Sequence, residues 1–177
     1  MGIPRIAPFI NVTFYVTSIF GETGTRTHRG LDIATSIKQK VYSMTNGIVI
    51  LNTWSDSYGN YIIIKGDDGI GFLYAHLDTK PLLNVGSRVI VGQEVGTEGT
   101  TGVSTGVHLH IEMQDISNKD WVYQAPLEDY INPASFMGID NVEGTSWLYD
   151  GTPIFTKSKK KKFKWVLYAR KLRKNVK

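Results

Sequence analysis

The sequence of 177 residues contains no cysteine, which excludes disulfide bonds and thiolate metal ligands. It also lacks any apolar run near the roughly 20 residues that a transmembrane helix needs. Histidine is scarce, with four residues in the whole chain: His28, His76, His108 and His110. Because histidine is so rare here, the positions of these four carry much of the functional information.

The N-terminus lacks a leader-like apolar stretch, and the C-terminus lacks acidic residues. The N-terminus has no continuous apolar stretch of the kind found in a secretory leader, because Pro4 and Pro8 interrupt it. Residues 157–177 have no acidic side chain but hold eleven of the twenty lysines and arginines. The first 156 residues hold the other nine and all sixteen acidic residues. We therefore expect an acidic body followed by a strongly basic tail.

Three of the histidines fall into patterns that suit zinc. His28 and Asp32 form a His-x-x-x-Asp pair in THRGLD, and His108 and His110 form a His-x-His pair in VHLHIEM. Imidazole nitrogen and carboxylate oxygen are ordinary zinc ligands, and a catalytic zinc takes three protein ligands and a water. Alternate side chains of a strand share one face, so His108, His110 and Glu112 are predicted to point the same way.

The neighbours of these residues give further predictions. The alternation in GFLYAHL places Phe72, Tyr74 and His76 on one strand face. Gly30, between His28 and Asp32, predicts a turn rather than a helix. Glu112 either orients a histidine through a hydrogen bond or is a solvated carboxylate, and the sequence leaves both readings open.

Short apolar stretches bounded by Gly, Asn and Asp recur along the chain, a pattern typical of strands joined by turns. Helix is indicated weakly near residues 126–130 and after Lys159. We predict a mainly β fold, an antiparallel twisted sheet or open β-sandwich, with the site in a groove across one face. Residues 1–140 are predicted to form the catalytic domain. Residues 141–177 are predicted to form a C-terminal extension, with a small hairpin at 144–155 before the basic aromatic tail.

The ordered motifs resemble the lysostaphin and LytM-type zinc endopeptidases of bacterial cell walls. The resemblance covers about residues 12–137 and includes HRGLDIA, SYGNYIIIKG, LYAHL and VGTEGTTGVSTGVHLHIEM. It implies that His28, Asp32 and His110 bind Zn²⁺, and that His76 and His108 are unliganded catalytic histidines. Some members of the family have an accessory aromatic residue near the oxyanion, for which Tyr15, Tyr61 and Tyr74 are the candidates.

The resemblance implies hydrolysis of peptide bonds in the stems or cross-bridges of peptidoglycan. No His-Glu-x-x-His motif occurs, so the usual metalloprotease glutamate base is absent and proton transfer is expected to fall to His76 and His108. The alternative is a non-catalytic LytM-like regulator or assembly scaffold at the cell wall. The intact metal and histidine positions argue against that alternative.

Several residues outside this set are candidates for binding. Aromatic side chains are expected to form the walls of a substrate groove, with edge packing as the alternative: Trp54, Tyr58, Tyr74, Trp121 and Tyr123. Lysines of the tail are candidates for holding an anionic wall polymer, with a solvated extension as the alternative: Lys159, Lys160, Lys161, Lys162 and Lys164. We expect an extracellular protein of the cell wall or phage particle, either a fragment of a larger secreted protein or a phage-encoded lysin. No obligate protein partner is indicated.

Overall fold

A computed structural model describes residues 4–24, 26–149 and 154–155. The predicted tail lysines, Lys159, Lys160, Lys161, Lys162 and Lys164, lie outside these residues, and their role in polymer binding stays a prediction. The strands are β1 (Pro4–Arg5), β2 (Thr13–Ser18), β3 (Gly21–Thr23), β4 (Arg26–His28), β5 (Gly30–Thr35), β6 (Lys40–Tyr42), β7 (Gly47–Ser55), β8 (Gly59–Gly66), β9 (Ile70–Leu77), β10 (Arg88–Val89), β11 (Glu94–Thr97), β12 (Leu109–Asp115), β13 (Ser146–Leu148) and β14 (Ile154–Phe155).

Eight of these strands form one antiparallel sheet in the order β10-β7-β8-β9-β12-β5-β2-β13. Three two-stranded sheets, β1-β14, β11-β6 and β3-β4, accompany it. The prediction of a mainly β, antiparallel fold is confirmed. Strand β9 is buried along its whole length, as expected for a strand covered on both faces. Within the described ranges, no helix combines the length and the apolar character that crossing a membrane requires.

Apolar side chains cover both faces of the sheet. On one face, Leu109, Ile111 and Met113 of β12 join the main core, in which they are almost fully buried. On the other face, Ile63 and Leu73 belong to a second, smaller cluster. Each such side chain contributes about 1.5–3 kcal/mol when it is fully removed from water. Together the two clusters fix the strands that carry the polar residues of the site.

One short helix, α1 (Pro133–Met137), packs against the main core through Ala134 and Met137. The Asn132 side chain caps its first turn by accepting a hydrogen bond from the backbone N–H of Ala134. Gly138 ends the helix in the left-handed region, with φ 71°. Of the two tracts expected to be helical, residues 126–130 contain a single 3₁₀ turn, at Leu127–Asp129. The tract after Lys159 lies outside the described residues.

The C-terminal segment differs from the predicted hairpin. β13 pairs with β2, with Ser146 opposite Tyr15, and β14 pairs with β1. The prediction of a hairpin within residues 144–155 is therefore wrong. The physical reason is that β2 would be the edge strand of the sheet without β13. Pairing with β13 gives the outer backbone N–H and C=O groups of β2 hydrogen-bond partners. The boundary at residue 140 stays a prediction.

A bulge interrupts the alternation of β9 just before its end. The pairing of β8 with β9 shifts between Asn60 and Ile62, and His76 has φ 58°. A bulge adds one residue to a strand and redirects the side chain there. Phe72 and Tyr74 consequently lie in the main core, whereas His76 turns to the opposite side of the sheet. The prediction that these three share one face is wrong.

Candidate metal centre

Three side chains converge on the polar side of the sheet, each from a different strand. His28 ends β4, Asp32 lies in β5, and His110 lies directly opposite Asp32 in β12. Nε2 of His28 lies 3.3 Å from Oδ1 of Asp32 and 3.2 Å from Nδ1 of His110. Nδ1 of His110 lies 2.6 Å from Oδ1 of Asp32. Each residue thus directs one potential ligand atom at the same point.

The donor set and its spacing fit zinc. Two imidazole nitrogens and one carboxylate oxygen are the ligands of many catalytic zinc sites. For metal–ligand bonds of about 2.0–2.1 Å, the ligand atoms of a tetrahedral zinc lie roughly 3.3 Å apart. The two separations from His28 match this value, and the shorter contact between His110 and Asp32 is that of an N–H···O hydrogen bond.

The electrostatics of the cluster are dominated by Asp32 and Glu112. Burial alone would lower the pKa of His110, but its hydrogen bonds with Asp32 and Glu112 outweigh this effect and raise the pKa to about 9. Burial would raise the pKa of Asp32, but hydrogen bonds from His110 and His28 hold that pKa well below its usual range. Two buried carboxylates therefore attract positive charge to this point, which a cation can supply.

Both histidines of the cluster are held by their second ring nitrogen. Nδ1 of His28 donates to the carbonyl of Ile19 over 2.7 Å, which leaves Nε2 directed at the cluster. Nε2 of His110 lies 3.1 Å from Oε1 of Glu112, which leaves Nδ1 directed at the cluster. Metal-binding histidines commonly donate their other N–H to a carbonyl or a carboxylate in this way. Of the two readings of Glu112, the structure favours the one in which it orients a histidine.

Glu112 is itself held in place. It is 2% exposed, and the hydroxyl of Tyr58 donates to its Oε1 over 2.8 Å. Gly30 lies opposite Glu112 in the sheet, and a Cβ at Gly30 would overlap the ring of His110. Gly30 was expected in a turn, but it lies in β5, where the absence of a side chain leaves room for that ring.

His76 and His108 lie beside the cluster, with ring centroids 4.7 Å apart. Nδ1 of His76 donates to the carbonyl of Thr101 over 2.7 Å, and Nδ1 of His108 donates to that of Gly106 over 2.8 Å. In the neutral form of each ring, this arrangement places the proton on Nδ1 and leaves Nε2 as the acceptor atom. Nε2 of His108 lies 3.8 Å from Oδ1 of Asp32. Burial lowers the pKa of His76 to about 4, so the ring is neutral at neutral pH.

The three side chains of the cluster, together with His76, His108 and Glu112, line one open cavity of about 540 Å³. The predicted common direction of His108, His110 and Glu112 is confirmed, because all three reach this cavity. Leu109, between the two histidines, lies in the core. The cavity lining is Thr17, Ser18, Arg26, Thr27, His28, Arg29, Asp32, Ser57, Tyr58, His76, Val103, Ser104, Thr105, His108, His110, Glu112, Gln124 and Glu143.

The structure separates the aromatic groove candidates. Tyr58 lines the cavity. Tyr74 is fully buried, and its hydroxyl accepts a hydrogen bond from the backbone of Met44, so its assignment to a groove is wrong. Trp121 and Tyr123 line a second depression of about 360 Å³, and Trp54 is half exposed on β7. A substrate contact by these last three residues stays a prediction.

The tyrosine nearest the cluster was not among the accessory candidates. Tyr15, Tyr61 and Tyr74 do not line the cavity, whereas the ring of Tyr58 lies 5.9 Å from that of His110. Its backbone carbonyl also accepts from the N–H of His76 over 2.8 Å. The available signal was Gly59, which marks the turn between β7 and β8 and so places Tyr58 directly before β8, the strand beside β9.

A family model for peptidase family M23 matches residues 26–124, more than half of the sequence. The chain belongs to peptidase family M23. The matched segment contains every residue of the cluster and both neighbouring histidines: His28, Asp32, His76, His108 and His110. The resemblance to lysostaphin-type peptidases that the motifs indicated is confirmed.

Related sequences include peptidoglycan DD-endopeptidase ShyA of Vibrio cholerae serotype O1. ShyA is 37% identical to this M23 chain over 86 residues, which are 49% of the chain and 20% of ShyA. The chain spans less than a third of the length of the first curated relatives.

Two solved structures resemble about two thirds of the chain. The catalytic domain of lysostaphin from Staphylococcus simulans has a TM-score of 0.56 and 27% identity, and the match covers 71% of this chain and 91% of that domain. A zinc-containing peptidase from Vibrio cholerae has a TM-score of 0.51 and 32% identity, over 64% of this chain and 36% of that protein. Both likenesses agree with the antiparallel fold.

Proposed function

We propose that this chain is a zinc-dependent endopeptidase that hydrolyses peptide bonds in the stems or cross-bridges of bacterial peptidoglycan. One observation carries the proposal: a three-residue ligand cluster and two oriented histidines line the same cavity of a family M23 chain. The substrate class rests on relatives such as the peptidoglycan DD-endopeptidase ShyA. An extracellular place of action follows from that substrate, at the cell wall or as a phage lysin.

In this proposal, Nε2 of His28, Oδ1 of Asp32 and Nδ1 of His110 hold the zinc ion. When bound, zinc polarises a carbonyl group as a Lewis acid and lowers the pKa of a water molecule to about 7. Glu112 keeps the His110 ring in the orientation that directs Nδ1 at the ion, and Tyr58 keeps Glu112 in place.

His76 and His108 handle the proton and the developing charge. In its neutral form each ring donates from Nδ1 to a backbone carbonyl and presents the lone pair of Nε2 to the cavity. One ring accepts the proton that the attacking water loses. The other ring donates a hydrogen bond to the oxygen that becomes negative only once its Nε2 also carries a proton, and such an interaction is worth about 3–4 kcal/mol in other hydrolases.

Digestion of purified peptidoglycan by the full chain, with and without a zinc chelator, tests the proposal. Mass spectrometry of the released fragments should show peptide cleavage that the chelator abolishes and added zinc restores. Cleavage that survives the chelator would contradict zinc dependence. Failure of zinc-loaded protein to cleave walls of several cross-link types would instead support the non-catalytic regulator or scaffold.

Two alanine variants on the same strand separate ligand from catalyst. His110→Ala should lose bound zinc and activity together, because it removes one of three ligands. His108→Ala should lose activity and keep most of its zinc, because its ring contacts the ligand cluster without completing it. Metal analysis and digestion of the same preparations check both. A metal-free His108 variant beside a zinc-loaded His110 variant would reverse the assignment.

A further inference from the structure

His76 occupies a backbone conformation that its neighbours must impose. Its φ of 58° lies in the left-handed region, which residues with a Cβ rarely adopt inside a strand. Two hydrogen bonds hold it there. Its backbone N–H donates to the carbonyl of Tyr58 over 2.8 Å, and its ring Nδ1–H donates to the carbonyl of Thr101 over 2.7 Å. The second bond also decides which ring nitrogen faces the cavity.

The hydroxyl of Thr101 makes two further hydrogen bonds, with the backbone next to His76. It donates to the carbonyl of Leu77, the next residue along β9, over 2.8 Å. It also accepts from the backbone N–H of Asn60 over 3.0 Å, and Asn60 is paired with Leu77 in the sheet. One residue thus binds the ring of His76 with its carbonyl and the strand beyond His76 with its side chain.

Close packing leaves Thr101 little room to shift. A Cβ at Gly59 would overlap Thr101, and a Cβ at Gly102 would overlap the backbone of Gly59. The backbone N–H of Val103 donates to the carbonyl of Ser57 over 3.0 Å. The segment 99–107 therefore lies directly on the turn between β7 and β8, and the Thr101 hydroxyl joins that turn to the end of β9.

We propose that Thr101 is a positioning residue for His76. Its hydroxyl fixes segment 99–107 so that its carbonyl holds the imidazole with the proton on Nδ1 and with Nε2 free toward the cavity. Thr101 does not line the cavity and acts through the ring that it orients. The inference rests on the proposed role of His76 in proton handling.

The test compares Thr101→Val, which keeps the shape of the side chain but removes the hydroxyl, with Thr101→Ser, which keeps the hydroxyl. The valine variant should bind zinc as the wild type does but lose on the order of 10²-fold in kcat with little change in KM, as expected for a misplaced catalytic group. The serine variant should recover most of the kcat. Nitrogen NMR of the histidine rings should show His76 protonated on Nδ1 in the wild type and the serine variant, and as mixed tautomers in the valine variant.

A matched control is Thr79→Val, because Thr79 is exposed and its hydroxyl makes no hydrogen bond in the described part of the chain. It should leave kcat and the His76 ring signals unchanged. A valine variant with wild-type kcat and ring signals would overturn the proposal. A serine variant as impaired as the valine variant would also overturn it, since the methyl group would then matter. If the valine variant does not fold, Thr101→Ala removes the same hydroxyl without bulk, and the same criteria apply.

The ring signals also keep this proposal separate from the function. A wild-type chain that cuts no peptidoglycan, but whose His76 tautomer depends on the Thr101 hydroxyl, would refute the proposed function and support the positioning role. Cleavage of peptidoglycan by the Thr101→Val variant at the wild-type rate would support the proposed function and refute the positioning role.

Discussion

His110 shows how a single residue is fixed from both sides. Asp32 lies against Nδ1 at 2.6 Å, Glu112 lies against Nε2 at 3.1 Å, and Gly30 leaves the space that the ring fills. The ring therefore has one orientation in which both nitrogens are satisfied. In the proposed zinc site, the bond to Glu112 must persist while the ion takes the place of the proton on Nδ1.

Removing the charge of Glu112 should weaken zinc binding. Glu112→Gln keeps the shape but replaces a carboxylate with a neutral amide, and changes of this kind typically reduce metal affinity by about 10–100-fold. Tyr58→Phe removes one hydrogen bond to Glu112 and should have a smaller effect. Competition with a chromogenic chelator measures both affinities. Equal zinc affinity in the wild type and the Glu112 variant would show that Glu112 does not support His110.

At the scale of single elements, β9 and β12 behave differently although they are neighbours. β12 keeps its alternation, so His110 and Glu112 share the cavity, and Leu109, Ile111 and Met113 share the core. β9 loses its alternation at the bulge before His76, where the register with β8 shifts. β13 adds a third pattern, because it joins the sheet beside β2 although more than a hundred residues separate the two strands.

The attachment of β13 should contribute to stability. Trp147 is partly buried against the main core, whereas its neighbour Leu148 is 70% exposed. Trp147→Ala should lower the free energy of unfolding by about 1–3 kcal/mol, less than the value for a fully buried tryptophan. Leu148→Ala, the matched control, should change it by less than about 0.5 kcal/mol. Denaturant unfolding compares the two, and equal effects would show that β13 is not anchored by its tryptophan.

The side-chain directions in these strands could be predicted from the sequence only in part. Strand alternation was enough to place His108, His110 and Glu112 on one face, because β12 is regular from end to end and His108 directly precedes it. The same rule misplaced His76 and Tyr74, because a bulge depends on the partner strand and leaves no periodic signal. The pairing of β13 with β2 was missed because distant strands pair through tertiary structure. The role of Gly30 required the position of a ring 80 residues away.

At the scale of the whole molecule, the main core and the ligand cluster lie on opposite faces of the sheet. Leu109 and Ile111 point into the core, and His110 between them points into the cavity. The apolar core is thus complete without any contribution from the side chains of His28, Asp32 and His110. The described body should therefore fold without metal, unlike small zinc domains that depend on the ion for folding.

Zinc should still stabilise the folded chain by binding to it alone. At a free zinc concentration 100 times the Kd, the gain is about 2.7 kcal/mol. Thermal unfolding should give a single cooperative transition in each condition. The transition with zinc should lie at a higher temperature than the transition with a chelator. His110→Ala should show the lower transition in both conditions. A chain that is unfolded in chelator would contradict the separation of core and site.

The anchors of the histidines are divided between different parts of the chain. His28 is held through Ile19 and His110 through Glu112, whereas His76 and His108 are both held by carbonyls of segment 99–107. In the proposed enzyme, sequence drift confined to that one loop would therefore silence turnover and leave the metal binding intact. A descendant of this fold can change from an enzyme to an inert binding module in few steps, and its metal content alone would not reveal the change.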